Sequence, residues 1–140
     1  MTNKNLLIDT HTHVNFRDFK KDAKEVIKRA LDEGVWMINV GAERKTSERA
    51  IKMAEDYEKG VYSAVGLHPS HLVEQHVEYQ ENGETVKYKS KPEEFDYNFY
   101  FNLAKNKKVA GIGECGLDYF RTADENFKEK QKEVFRKHLE

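Results

Sequence analysis

The sequence holds a single cysteine, Cys115. An intramolecular disulfide framework is therefore excluded, and a reducing compartment is the expected setting. Long hydrophobic runs are also missing: no apolar stretch approaches the roughly 18 residues of a membrane span. Met1-Thr2-Asn3-Lys4-Asn5 leads straight into the first apolar segment with no signal-like region before it, so the expected location is cytoplasmic. Charge of one sign is absent as well, since 24 basic and 25 acidic residues leave a formal net charge of −1. Such a chain has no global positive field to hold nucleic acid by counterion release. Bound cations and a few local basic side chains do the same work over a short range, so a nucleic-acid substrate stays open. What is present suffices for one domain: 140 residues, 38% hydrophobic for a core and 35% charged for a polar exterior.

Periodicity alternates along the chain. Residues 6–9 read as a strand, and residues 21–33 as a helix with Val26, Ile27, Ala30 and Leu31 on one face and Gly34 as its stop. A second strand is expected over 36–40, then a helix over 46–59 with Ala50, Met53, Ala54 and Tyr57 inward, closed by Gly60. Residues 61–65 give a third strand, 96–106 a helix and 109–112 a fourth strand. The last helix opens at Thr122-Ala123-Asp124-Glu125, a Thr-x-x-Glu capping box.

Four strand–helix units in succession predict an α/β fold with parallel strands, right-handed crossovers and a sheet buried on both faces. Between strands three and four, residues 71–95 alternate in character around an Asn82-Gly83 turn signal and read as an inserted β-hairpin. It is read equally as a substrate contact and as a solvated ornament. A closed (β/α)8 TIM barrel takes eight units in about 250 residues. Residues 1–140 are therefore expected to form the N-terminal half of one barrel domain. Its open sheet edges make pairing with a second copy or another polypeptide an expectation too.

Polar residues gather at the ends of these strands. His11 and His13 stand one residue apart, so both side chains leave the strand on the same face. They can aim two imidazole nitrogens at one point just beyond its C-terminal end, a chelate for a divalent cation. Asp9, upstream, reads as a group that orients a ligand rather than as a ligand. Glu114 lies between Gly113 and Cys115-Gly116, where the backbone can approach a bound group closely. It reads as a carboxylate bridging two cations about 3.5–4 Å apart, or else as a charged residue in a glycine turn. Cys115 is a candidate soft ligand or a small buried side chain, with the second preferred. His68, in Gly66-Leu67-His68-Pro69, reads as a donor to a phosphoryl oxygen or as a turn cap, with nothing in the spacing to choose. Arg121 is placed to pair with a phosphate. His71, His76 and His138 lack a supporting constellation and are expected to be solvated.

Together these segments resemble one family. Ile8-Asp9-Thr10-His11-Thr12-His13-Val14-Asn15 is similar to the N-terminal motif of the TatD-type metal-dependent deoxyribonucleases, within the amidohydrolase-like metallohydrolases. Ser63-Ala64-Val65-Gly66-Leu67-His68-Pro69 resembles that family's strand-three motif. Gly111-Ile112-Gly113-Glu114-Cys115-Gly116-Leu117-Asp118-Tyr119 resembles its most characteristic segment, with Arg121 following. The resemblance implies a TIM-barrel hydrolase with two divalent metal ions (Mg, Mn or Zn) that cleaves DNA phosphodiesters, often from single-stranded 3′ ends. His11 and His13 would hold one metal, Glu114 would bridge both, Glu114 and His68 would act in catalysis, and His68 and Arg121 would contact substrate. Asp118 would support the ligands alongside Asp9. The family's further ligands, two histidines and an aspartate, come from strands five, six and eight, which lie beyond these four units. The chain is accordingly read as a fragment whose own activity is an open question. Two other classes stay in view. An amidohydrolase-type enzyme for a small amide or lactone shares the His-x-His but not the Gly-Glu-Cys-Gly-Leu-Asp-Tyr segment. A non-catalytic half-barrel would serve binding or assembly.

Overall fold

The computed structural model describes residues 6–74, 76–81, 84–89, 91–120 and 124–140. Four strands, β1 (Leu7–Thr12), β2 (Val35–Val40), β3 (Val61–Val65) and β6 (Val109–Ile112), form one sheet in the order β1-β2-β3-β6. All neighbours pair in parallel, with Leu7 opposite Val35, Met37 opposite Val61 and Ser63 opposite Val109. This register brings the C-terminal ends of all four strands to one rim. The connecting helices are α1 (Ala23–Asp32), α2 (Arg44–Glu55) and α3 (Tyr97–Ala104), and α4 (Glu125–Leu139) follows β6. β4 (His76–Glu81) and β5 (Glu84–Lys89) make a separate antiparallel ribbon between β3 and α3, with His76 opposite Lys89. The Asn82-Gly83 turn signal lies outside the described residues.

Apolar spacing explains how the helices dock. Val26, Ile27, Ala30 and Leu31 line one side of α1 and pack on Met37, Ala54 and Val61. A second core joins Leu67 and Leu72, after β3, to Tyr100 of α3 and to Phe127 and Val134 of α4. Arg44 ties α2 to α3, with its guanidinium 3.7 Å from the centre of the Phe99 ring and 3.5 Å from Asp96.

Several expectations need correction. β1 runs on to Thr12 rather than ending at Asp9, with its pairing irregular between Asp9 and Thr12, so His11 sits inside the strand. α2 ends at Glu55, short of Lys59, because the chain must turn there to enter β3. The freed carbonyls of Tyr57 and Glu58 accept instead from Nζ of the buried Lys108. Thr122 is outside the described residues, and the observed cap of α4 is Asp124, whose carboxylate accepts from the backbone N–H of Asn126 and Phe127. The sheet is not buried on both faces throughout. β2 and β3 carry the buried residues, whereas β1 and β6 have, among the described residues, a neighbour on one side only and are largely exposed.

Candidate metal centre

β1 and β6 occupy opposite edges of the sheet, yet their polar residues meet. The segment after β6 folds inward across the rim to make this possible. Gly113 N–H donates to Val65 O of β3 at 2.9 Å, and Glu114 N–H donates to Gly41 O beyond β2 at 2.8 Å. The crossing needs a glycine beneath it. A Cβ on Gly66 would lie 2.9 Å from the carbonyl carbon of Gly113 and 3.1 Å from Glu114 O. Glu114 Oε2 thereby comes to 3.8 Å from Nε2 of both His11 and His13. Among the described residues these three are the group whose ligand atoms fall together, all within 4.8 Å of one another.

Buried carboxamides hold the two histidines. Asn39, inside the apolar strand β2, accepts at Oδ1 from the Thr12 hydroxyl at 2.9 Å and from Val14 N–H at 3.0 Å. Asn15 donates from Nδ2 to the carbonyls of Val40 and Thr46 at 3.1 and 3.0 Å. His13 Nδ1 lies 3.1 Å from Val40 O, which can only accept, so Nδ1 carries the proton and Nε2 presents its lone pair.

The donor set fits a divalent cation. The Nε2 atoms of His11 and His13 are 3.2 Å apart. Two nitrogens bound to one ion at about 2.0–2.1 Å, at angles between about 90° and 110°, stand about 2.9–3.4 Å apart. Two imidazoles and a carboxylate suit Zn, Mn or Fe by ligand type. Glu114 Oε1 points the other way, 3.7 Å from His68 Nε2. His68 Nδ1 accepts from Ser70 N–H at 3.1 Å, so the neutral ring carries its proton on Nε2, facing the carboxylate. The same ring thus caps the turn at Pro69–Leu72 and presents a donor at the rim. Cys115 is half-buried, and its thiol is pushed up by burial and by the neighbouring Glu114 charge, which keeps it protonated at neutral pH.

The remaining candidates divide. Asp9 Oδ1 accepts from the backbone N–H of His11 at 3.1 Å, acting on the strand rather than on the ring. Asp118 is held through its backbone by Gln131 of α4, which accepts from its N–H at 2.7 Å and donates to its carbonyl at 3.1 Å. Arg121 and the His76 side chain lie outside the described residues. His71 is half-buried rather than free in solvent, and its backbone N–H donates to His68 O. His138, expected to be solvated, is a correction. Its Nε2 accepts from Leu67 N–H at 3.1 Å, Nδ1 donates to Val134 O at 2.9 Å, and the ring packs on Phe95. Asn15, Asn39 and Gln131 were not singled out from the sequence. Asn39 carried a usable signal, a carboxamide inside an apolar strand. Gln131 carried none, because it looks like any polar residue of an amphipathic helix.

The chain has relatives among known proteins. A family profile described as TatD related DNase matches residues 8–140. The chain is 36% identical over 135 residues to an uncharacterized metal-dependent hydrolase, YabD, of Bacillus subtilis, covering 96% of this chain and 45% of that protein. It is 28% identical over 130 residues to a 3′-5′ ssDNA/RNA exonuclease TatD of Erwinia amylovora, covering 92% of this chain and 42% of that one. Among solved structures it is similar to YjjV, a TatD homolog from Escherichia coli K12, with a TM-score of 0.65 and 26% identity, over 95% of this chain and 45% of that chain. The chain thus spans a little under half the length of these relatives.

Proposed function

The chain belongs to the TatD related DNase family of metal-dependent hydrolases, and on that premise we propose that it carries the first four βα units of a TIM-barrel nuclease together with half of its metal centre. The substrate we assign is nucleic acid, cut at phosphodiester bonds and taken as single-stranded DNA from the 3′ end. The observation that carries this reading is the convergence of His11, His13 and Glu114 from opposite edges of the sheet. Divalent ions bound there would supply Lewis acidity at a phosphoryl oxygen and activate water near neutral pH.

The chain's own residues supply the rest. His11 and His13 present nitrogen lone pairs whose direction is fixed by β1 and, for His13, by Val40 O. Glu114 offers Oε2 toward the histidine pair and Oε1 away from it, the disposition of a bridging carboxylate. His68 holds a proton at Nε2 on the Oε1 side, where it can donate to a non-bridging phosphate oxygen as charge develops. Asp9 steadies the backbone of β1 at His11, Gln131 holds the segment after Glu114 through the backbone of Asp118, and Arg121 is assigned to the substrate phosphate.

A second reading is favoured by the exposed apolar residues Leu7, Ile8 and Ile112 on the edge strands. In it two copies close each other's edges, and each contributes one set of ligands. The deciding experiment is cleavage of an end-labelled single-stranded oligonucleotide by the 140-residue chain with Mg²⁺ or Mn²⁺, against Glu114→Gln. Cleavage that Glu114→Gln abolishes is the result expected if assembled halves suffice. A folded but inactive chain assigns the reaction to a longer polypeptide. There, Glu114→Gln should reduce turnover at least about 100-fold, as loss of an essential electrostatic group does. Near-native turnover in that variant would remove Glu114 from the mechanism.

A further inference from the structure

A groove of about 940 Å³ opens between the segment that follows β1 and the first turns of α2. Its wall carries Arg17, Lys20, Lys45, Arg49 and Lys91 against one carboxylate, Glu43. Five cations to one anion is far from the balance of the whole chain, whose net charge is −1. The cations come from three separate connections, after β1, after β2 and after the β4–β5 ribbon, so no single helix face accounts for the clustering. Among the described residues, no carboxylate lies within ion-pairing distance of Arg17, Lys20, Lys45 or Lys91, all of them exposed. Most other surface cations that make contacts here, such as Lys28, Lys128, Lys132 and Lys137, are paired with acids on their own helix.

The floor differs from the wall. Val14, Phe19 and Met53 line it, with Phe16 at the end nearest the metal centre. The Phe16 ring lies 4.3 Å from the His13 ring, centre to centre. The groove therefore begins where the proposed metal ligands end. A basic wall over an apolar, partly aromatic floor is the combination that holds single strands, with cations tracking phosphates and apolar surface receiving bases.

We propose that this groove binds the phosphodiester backbone of the single strand whose end enters the metal centre. The assignment rests on the nuclease reading above and adds the path of the strand. Local clustering also resolves the difficulty raised by the neutral sequence, since counterion release depends on the cations a strand touches and not on total charge.

The test is binding of a labelled oligothymidylate to the full chain in EDTA, followed by fluorescence anisotropy over a salt series, so that no catalysis is needed. The triple variant Lys20→Gln, Lys45→Gln, Lys91→Gln is compared with Lys52→Gln, Lys59→Gln, Lys107→Gln. The second set removes the same charge from exposed positions near the opposite ends of the strands. Single-strand affinity varies with log salt by about 0.7 per phosphate contact, so losing three contacts should flatten the slope by about 2. The groove triple should show that flattening with weaker binding, and the control triple should retain the parental slope. Equal losses in both triples, or parental binding by the groove triple, would overturn the assignment while leaving the nuclease reading standing. An unsubstituted chain that binds no oligothymidylate would overturn the groove and count against the nucleic-acid reading as well.

Discussion

His138 shows how one side chain couples the last helix to the C-terminal rim of the sheet. Its ring donates from Nδ1 to Val134 O and accepts at Nε2 from Leu67 N–H, beside His68. Only the neutral imidazole can do both. Burial accordingly pushes its pKa down from the ordinary 6.5, with the Val134 bond opposing. The sign of the consequence follows from proton counting. Below about pH 6.5 the unfolded chain binds this proton more readily than the folded one, so protonation favours unfolding. The contribution is complete above that pH and is lost as pH falls through the lower, folded pKa. The urea midpoint of the parent chain should decline in that window more steeply than that of His138→Gln. The difference between the two is the quantity to measure, because every other group is common to both. A difference that does not change with pH would mean the ring is not held neutral.

Among the elements, the decisive contact is the passage of the Gly113–Glu114 segment over the end of β3. Gly66→Ala would place a methyl group 2.9 Å from backbone atoms that cannot swing aside. Overpacking of this kind costs about 1–3 kcal/mol. The denaturant midpoint should fall accordingly with the slope unchanged, and metal affinity should fall with it because Glu114 moves. Unchanged affinity in a destabilised variant would show that Glu114 is positioned by something else. Much of this element scale was legible in the sequence. β3 and β6 were read to the residue, since short apolar runs bounded by turn residues leave little choice. The end of α2 was not legible, because the turn that closes it is held by Lys108, distant in sequence, which donates to the carbonyls of Tyr57 and Glu58. His11 and His13, by contrast, could be paired from their spacing, because two residues apart on a strand is a local pattern. Gln131 and His138 act through contacts with remote backbone that no local pattern encodes, whereas Asn39 stood out only as a carboxamide inside an apolar strand.

At the scale of the whole molecule, the four parallel strands leave two edges that pair with no other strand among the described residues. Leu7 and Ile8 on β1 are 61% and 53% exposed and Ile112 on β6 is 48% exposed, while Val61 and Val65 of β3 are fully buried. On an edge strand alternate N–H groups point outward with no strand to accept them. Hydrogen exchange of the 140-residue chain should therefore be graded across the sheet, slowest in β2 and β3 and faster in β1 and β6. The gradient also discriminates between ways of closing the barrel. If a second copy covers the edges, protection of β1 and β6 should rise with protein concentration, together with a mass above 16.4 kDa. If the edges are covered only by further βα units in the same polypeptide, the gradient should persist at every concentration and vanish in the longer protein. Edge strands as protected as β2 at the lowest concentration would refute the open sheet itself. The Gly113–Glu114 segment is held by Val65 of β3 and by Gly41 just beyond β2, the two central strands, and not by either edge. Glu114 and His13 should consequently hold their positions where the edges exchange freely, and the candidate centre should bind Zn²⁺ or Mn²⁺ before any partner closes the ring.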